Sequence, residues 1–476
     1  MSGITDFLIE HKNSNAVSFH MPGHKGRSEI FTKSGFAPWI SDMVGNDITE
    51  IPGADALFCP RSSIKEVMDM YAALYGAKHT ELLVNGSSAG VMASILSVVP
   101  RGGKLVLGRN SHHSAYSAMR LGGIRPCYLR PQISRKYGLL GAVLPEEVDN
   151  VLSLNPDARA VLITSPNYYG VLSDIEAIAA VCRHHKAILI VDQAHGAHLK
   201  FFDDTRTPDE AGYIRYSAAE NQKADIVINS THKTLLSFTG SGILNVMSDR
   251  VDVQKLADNL RMLQTTSPSY ILMSSLDVNC RIMSRWGRQI ISDWAEDLKY
   301  FYRRAHGMKG LTVVRGAELD ATKINISLSE FGINGSRLDK ELRYNGIFSE
   351  MVHGDYVMLM TGAGNRREDY VRLIKAIERI IEAYGVESAK PSPLATIPDF
   401  VLEPAALPEE KELVPLYRAE GRILHEPIIT YPPGSPIACP GERLSYDVIA
   451  YISEAIAHGD TMSGVDDEGM IWVGAR

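Results

Sequence analysis

The sequence predicts an α/β protein, with a large domain on a mainly parallel seven-stranded sheet, a smaller α+β domain and a C-terminal cap. Two observations carry this prediction. Seven short apolar runs punctuate residues 81–246, and helix-length segments separate several of them. The runs also lack the polar alternation of a strand with one wet face. Both faces of the sheet are therefore covered, as happens when crossover helices connect parallel strands.

The elements follow in order. Residues 1–60 read as an N-terminal arm and 61–305 as the large domain. Ile64, Val67, Met68, Tyr71 and Tyr75 recur at three and four, one apolar helix face that Gly76 ends. Strands are expected at ELLV (81–84), KLVLG (104–108), IRPCYL (124–129), AVLIT (160–164), AILIV (187–191), DIVIN (225–229) and SGILNV (241–246), with DIEAIAAVCRHHK (174–186) as an intervening helix. The small domain, 306–395, carries strands at KINISLSE (323–330) and DYVMLMTG (355–362) and a helix at 369–385 closed by Gly385. SAKPSPLATIPDF (389–400) reads as a linker. The C-terminal domain, 396–476, holds the Pro/Gly-rich ITYPPGSPIACPGE (429–442) and a helix at 446–459.

Composition narrows the function classes. The 476 residues are 45% hydrophobic and 22% charged, an ordinary globular balance. With 49 Lys+Arg against 56 Asp+Glu, the formal net charge of −7 argues against a broad nucleic-acid surface. No apolar stretch approaches the 18 residues of a membrane helix, and no basic-then-apolar leader opens the chain, so a cytoplasmic protein is expected. The five cysteines are scattered and form no C-x-x-C pair, which fits a reducing compartment and excludes a zinc ribbon.

In sheets of this kind ligands bind beyond the carboxyl ends of the strands. Asn85-Gly86-Ser87-Ser88-Ala89-Gly90 follows the first run and opens a helix pattern, which suits either an anion cradle or a plain cap. Asp192 ends AILIV within DQAHGAH. The spacing Asp192, His195, His198 also allows a metal reading, but no flanking cluster supports it, and no metal is expected. Lys233 lies in Ser230-Thr231-His232-Lys233-Thr234, directly after a strand, where desolvation and neighbouring positive charge favour a neutral, nucleophilic amine. Arg109-Asn110-Ser111-His112-His113-Ser114 offers flat imidazoles, and Thr164 precedes Ser165-Pro166-Asn167-Tyr168-Tyr169-Gly170. An anion cradle, a carboxylate, a reactive amine, a flat ring and a hydroxyl are together what pyridoxal phosphate requires.

These motifs occur in an order that resembles the prokaryotic Orn/Lys/Arg decarboxylases: FHMPGHKG (19–26), D-x-T-E-x-P-G (47–53), LLVNGSSAG (82–90), RNSHHS (109–114), SPNYYG (165–170), VDQAHG (191–196), STHKTL (230–235) and YPPGSP…PGE (431–442). The resemblance runs from about residue 18 to 460. It implies the fold type I architecture of pyridoxal-phosphate enzymes, that of aspartate aminotransferase, and decarboxylation of a basic amino acid, arginine first. Lys233 then carries the cofactor, Asp192 partners its ring nitrogen and His112 stacks over it. Ser87, Ser88, Ser230 and His232 hold the phosphate, Thr164 reaches the phenolic oxygen, and Ala194 lies flat against the ring. His195 stands near the cofactor where larger members often carry tryptophan. Glu442 matches a glutamate near the substrate's distal end, and His198 is a further candidate there. Arg366, next to Arg367 in GAGNRRED, could bind a substrate carboxylate, as a transaminase would require, or be a surface charge.

The resemblance implies a homodimer or dimer-based oligomer, with the segment before residue 60 approaching the partner's site. The chain starts close to the MPGHKG motif, which matches a short form without the N-terminal wing of acid-resistance members. It departs from the family in 47–64, where Ala56 replaces an acidic residue and Arg61-Ser62-Ser63 a glycine turn. Lysine or ornithine decarboxylation, and an aminotransferase or lyase reaction, stand as alternatives.

Overall fold

Strands take shape where β-branched and leucine side chains can be buried on both sides, and the large sheet shows why. In the computed structural model, residues 4–134, 136–203, 218–316, 318–384, 397–407, 409–431, 434–457 and 461–474 are described. The arm starts with the helix Ile4–Asn13, which buries no side chain, and leads into β1 (Val17–Ser18). The large sheet comprises β2 (His79–Leu83), β3 (Lys104–Gly108), β4 (Arg125–Leu129), β5 (Ala160–Thr164), β6 (Ile188–Asp192), β7 (Ile226–Asn229) and β8 (Gly242–Val246). Their order is β2-β8-β7-β6-β5-β3-β4. β8 is antiparallel to both neighbours, and the other four pairings are parallel.

Alternate residues of one strand feed opposite cores. Leu105, Leu107, Leu162 and Ile190 enter the cluster with the helix Gly86–Val98, whereas Val106, Val161, Ile163, Leu189 and Val191 enter the cluster with the helix Ile175–His184. That period of two, with both faces covered, accounts for runs without polar alternation. The seven expected strands all form, β3 and β5 with the expected bounds and the others with ends displaced by at most two residues. β2 begins at His79, ahead of ELLV, because it is an edge strand whose His79 and Glu81 share a wetter face and a 2.8 Å contact. Only its polar start, His79 and Thr80, escaped a search for apolar runs.

A 37-residue helix, Tyr270–His306, was not anticipated. It packs Met273 and Leu276 in the large domain and Trp294 and Phe301 against the small one. The small domain adds β9 (Thr312–Val313), β10 (Lys323–Ser327), β11 (Ile347–Phe348), β12 (Met351–His353) and β13 (Tyr356–Met360), in the order β12-β13-β10-β9. β11 pairs in parallel with β1, so the arm becomes part of this domain. The helix Arg367–Ala383 covers it.

The C-terminal region has β14 (Asp399–Phe400), β15 (Lys411–Pro415), β16 (Ile428–Tyr431), β17 (Pro436–Ala438), β18 (Glu442–Arg443), β19 (Thr461–Ser463) and β20 (Met470–Gly474), around the helix Tyr446–Ala457. Its core gathers Leu424, Ile428, Leu444, Val448, Ile452 and Ile471. Gly385, residues 389–396 of the expected linker, residues 432–433, and 458–459 of the last expected helix lie outside the described residues. Among the described residues, no helix is long and apolar enough to cross a membrane.

Candidate active site

Three strand ends converge on one spot. β6 ends at Asp192, 5% exposed, whose Oδ1 accepts from the Ala194 N–H at 3.1 Å. Among the described residues no other donor reaches this carboxylate. Burial pushes its pKa up, and the nearby Lys233 pulls it back. The turn after it is clamped by Gln193, whose Nε2 donates to Glu220 Oε2 (2.8 Å) and Asn229 Oδ1 (3.0 Å) while its Oε1 accepts from Ala219 N.

β7 delivers Lys233 through the single turn Thr231–Thr234. Thr231, His232 and Thr234 are buried there, and Lys233 alone is half-open. Lys233 Nζ and His195 Nε2 share a 2.9 Å hydrogen bond, and the Tyr168 ring stands edge-on to His195 with centroids 4.4 Å apart. Burial lowers the Lys233 pKa, opposed by Asp192 and Glu350 and reinforced by Lys323. Burial also holds His195 well below the ordinary histidine range, with Lys233 and Lys323 adding to it. The pairing therefore favours a neutral imidazole beside an easily deprotonated amine.

On the anion side, Ser230 Oγ donates to Ser87 Oγ at 2.8 Å, joining the Lys233 turn to the start of the helix Gly86–Val98. Ser88 shares that first helical turn, which no side chain caps. His232 Nδ1 donates to the Ser241 carbonyl at 2.6 Å, and burial brings its pKa down to about 4. His112 caps the helix His113–Gly122 by accepting from Ser114 N at 3.2 Å. Burial, then His113 and Lys233, lower its pKa to about 3, so the ring is neutral. Gly434 lies against this ring: a β-carbon there would fall 3.0 Å from His112 Nε2.

The N-terminal arm closes the other side. Gly23 N donates to the His232 carbonyl (2.8 Å), Gly364 N to the Gly23 carbonyl (2.8 Å) and Ala363 N to the Thr234 carbonyl (2.9 Å). A β-carbon on Gly23 would meet the Leu235 carbonyl oxygen at 2.2 Å, so only glycine fits. The FHMPGHKG motif is thus the strap across the lysine turn. Sequence reasoning recognised the motif without finding this role, and Gly23 was its legible signal. It also passed over Lys25 and Glu350. Lys25 Nζ donates to the His20 and Met360 carbonyls, and burial lowers its pKa to about 7 against the pull of Glu350. Glu350 accepts from Met21 N at 2.8 Å and is raised by burial.

At the three expected substrate contacts the side chains already have partners within the chain. Glu442, 1% exposed, is spent within the chain: Arg109 Nε and Nη2 donate to its two oxygens at 2.6 and 2.7 Å, and Cys439 N adds a third bond at 2.7 Å. His198 is fully buried, with Nε2 3.0 Å from Asp320 Oδ2. Arg366 is half-exposed at the head of the helix Arg367–Ala383, 3.5 Å from Glu29, and its neighbour Arg367 pairs with Asp297 at 2.6 Å. A cavity of ≈ 100 Å³ opens beside Tyr168, walled by Asn110, Asn167, His353, Ser435 and Tyr451.

The residues fit pyridoxal phosphate. Thr164 Oγ1, His195 Nδ1 and Thr234 Oγ1 are buried without a hydrogen-bond partner among the described residues, a state that native interiors seldom leave unfilled. Asp192 keeps an acceptor oxygen for a protonated ring nitrogen, and the uncapped turn at Ser87–Ser88 suits a phosphate. Lys233 supplies the amine.

Family models for "Orn/Lys/Arg decarboxylase, major domain" and "Orn/Lys/Arg decarboxylase, C-terminal domain" match residues 3–323 and 401–469. The arginine decarboxylase of Bacillus subtilis is 30% identical over 97% of this chain and 94% of its own length. That of Bacillus cereus is 31% identical over 91% and 95%. Among solved structures, a lysine decarboxylase of Francisella novicida superposes with a TM-score of 0.75 at 17% identity, covering 97% of this chain and 80% of that one.

Proposed function

The chain belongs to the Orn/Lys/Arg decarboxylase family, and on that premise we propose that it removes the α-carboxyl group of arginine, releasing carbon dioxide and agmatine. The reaction class, pyridoxal-phosphate-dependent decarboxylation of a basic amino acid, follows from the family. The choice of arginine is supported by the near-full-length relatives. The observation that carries the catalytic reading is the 2.9 Å contact between Lys233 Nζ and His195 Nε2, beside a carboxylate with one N–H donor.

Held by Lys233 at rest, the cofactor would supply an electron-poor ring able to accept electron density from the substrate's Cα. In this reading the chain does the rest. Asp192 would keep a proton on the ring nitrogen, a positive charge that offsets the burial raising its own pKa. Ser87, Ser88, Ser230 and His232 would hold the phosphate, Thr164 the phenolic oxygen, and His112 and Ala194 the ring. The Lys233 amine and His195 would be placed to return a proton to Cα. The Gly23 strap and Tyr168 keep water out of this space.

The assembly in this reading is a homodimer, which suits the exposed apolar side chains of the arm: Ile4 (82%), Phe7 (60%) and Val44 (89%). Sizing with parallel activity tests it. Lys233→Ala is expected to abolish turnover and the visible absorbance of bound cofactor; normal turnover in that variant sinks the assignment. Incubating the enzyme with arginine, lysine and ornithine, with products identified by mass spectrometry, tests the substrate. Cadaverine or putrescine as the main product overturns arginine, and a keto acid overturns decarboxylation.

A further inference from the structure

Behind the turn that carries His195, four side chains with no exposure meet: His198, Asp320, Thr322 and Lys323. Lys323 Nζ spends its three protons on Asp320 Oδ2 (2.9 Å), Thr322 Oγ1 (3.1 Å) and the His195 backbone carbonyl (2.8 Å). Asp320 is saturated in turn. Its Oδ1 accepts from Thr322 N and Oγ1 at 3.0 and 2.7 Å, and its Oδ2 lies 3.0 Å from His198 Nε2.

Burying a lysine and an aspartate costs several kcal/mol of desolvation, roughly what their attraction returns, so an apolar pair of similar volume would serve packing alone about as well. The bond that apolar residues cannot reproduce is the one to His195. Lys323 is the first residue of β10, so this bond ties the small domain directly to the turn after β6. The same corner fixes the ring from the other side. Asp320 N donates to the Gly170 carbonyl at 2.7 Å, closing the loop that presents Tyr168 edge-on to His195. Gly196 leaves the turn no room to slide, since a β-carbon there would fall 2.7 Å from Pro166 Cδ.

We propose that Lys323, anchored by Asp320, is a positioning residue that holds the His195 imidazole at hydrogen-bond distance from the Lys233 amine. The proposal rests on the reading of Lys233 as the cofactor-bearing lysine. The decisive comparison uses holoenzyme of four kinds: wild type, His195→Ala, the pair Lys323→Met with Asp320→Leu, and all three changes together. The pair removes both charges at once, so that neither is left buried alone. Two readouts are taken: the pH midpoint of the bound cofactor's visible absorbance without substrate, and kcat and KM.

His195→Ala and the pair should each move the midpoint in the same direction, by about half a unit or more, and each should lower kcat by about tenfold with KM within about twofold. The triple variant should match His195→Ala, because Lys323 acts through His195. A wild-type midpoint in the pair, or losses that multiply in the triple variant, overturns the proposal. The pair Lys323→Gln with Asp320→Asn also removes both charges while keeping similar volume and polar atoms, and provides a milder variant if the first pair does not fold. It should move the midpoint less but in the same direction, and an unmoved midpoint overturns the proposal. The absorbance readout needs no substrate. An enzyme that decarboxylates no basic amino acid therefore refutes the proposed function while leaving this test intact.

Discussion

Glu442→Ala should loosen the C-terminal region rather than weaken substrate binding. The carboxylate receives Arg109 Nε at 2.6 Å, Arg109 Nη2 at 2.7 Å and Cys439 N at 2.7 Å, and the two side chains are 1% and 4% exposed. Truncation leaves the guanidinium with only the Pro436 and Ile437 carbonyls, and leaves one N–H without its acceptor. Breaking a buried pair from one side costs about 3–5 kcal/mol, against at most about 1 kcal/mol for an exposed pair. At about 1.4 kcal/mol per tenfold, amides of residues 436–444 should exchange with solvent about two to three and a half orders of magnitude faster. Hydrogen-exchange mass spectrometry reads this directly. The double variant Arg109→Met with Glu442→Leu should recover most of the protection, since no charge is left unpaired. A loss under about 1 kcal/mol, or a raised KM at unchanged protection, would refute the reasoning and restore Glu442 to the substrate.

Two further outcomes follow from the same kind of reading. Gly23→Ala drives a methyl into the Leu235 carbonyl and should cost about 1–3 kcal/mol in thermal or urea unfolding, with a fall in kcat as the lysine turn shifts; wild-type values would show that the strap is not tight. Asp55 is pushed up by burial but held down more strongly by N–H bonds from Arg61, Ser62, Ala56 and Ile64, leaving its pKa at about 2. A depressed carboxylate stabilises the fold above its ordinary pKa of about 3.9 and stops doing so as pH falls through 2. Amide protection of residues 55–64 should therefore fade between about pH 4 and pH 2 in the wild type, and Asp55→Asn should show no such step.

The sheet was legible because its strands are buried on both faces, which leaves uninterrupted apolar runs such as AVLIT. The lysine turn was legible for a related reason: Asp192 stops an apolar strand at a charge, and Lys233 lies in the single turn after another. Edge strand β2 and the helix Tyr270–His306 were harder. The first opens with three polar residues, His79-Thr80-Glu81, and the second passes from the large-domain core to the small-domain core along its length. The partners that the expected substrate-end residues already hold were not legible, because they are distant in the chain. Nothing in PGE at 440–442 announces Arg109, and nothing near His198 announces Asp320. Local chemistry sets what a side chain can bind, but long-range packing decides whether it is already bound. Lys25 and Glu350 were missed on the same ground, since their proximity exists only once the arm has crossed the small domain.

The arm's course also bears on how the protein is made. β1 leaves the ribosome first, yet its partner β11 lies at Ile347–Phe348, and the glycines that receive Gly23 come later still, at 362 and 364. The large domain can collapse on its own apolar faces well before then, with the lysine turn formed and its covering strand still loose. Contacts of such long sequence separation are slow to close. Until the small domain is complete the Lys233 turn therefore lacks its cover, which is laid down by residues made well before their partners.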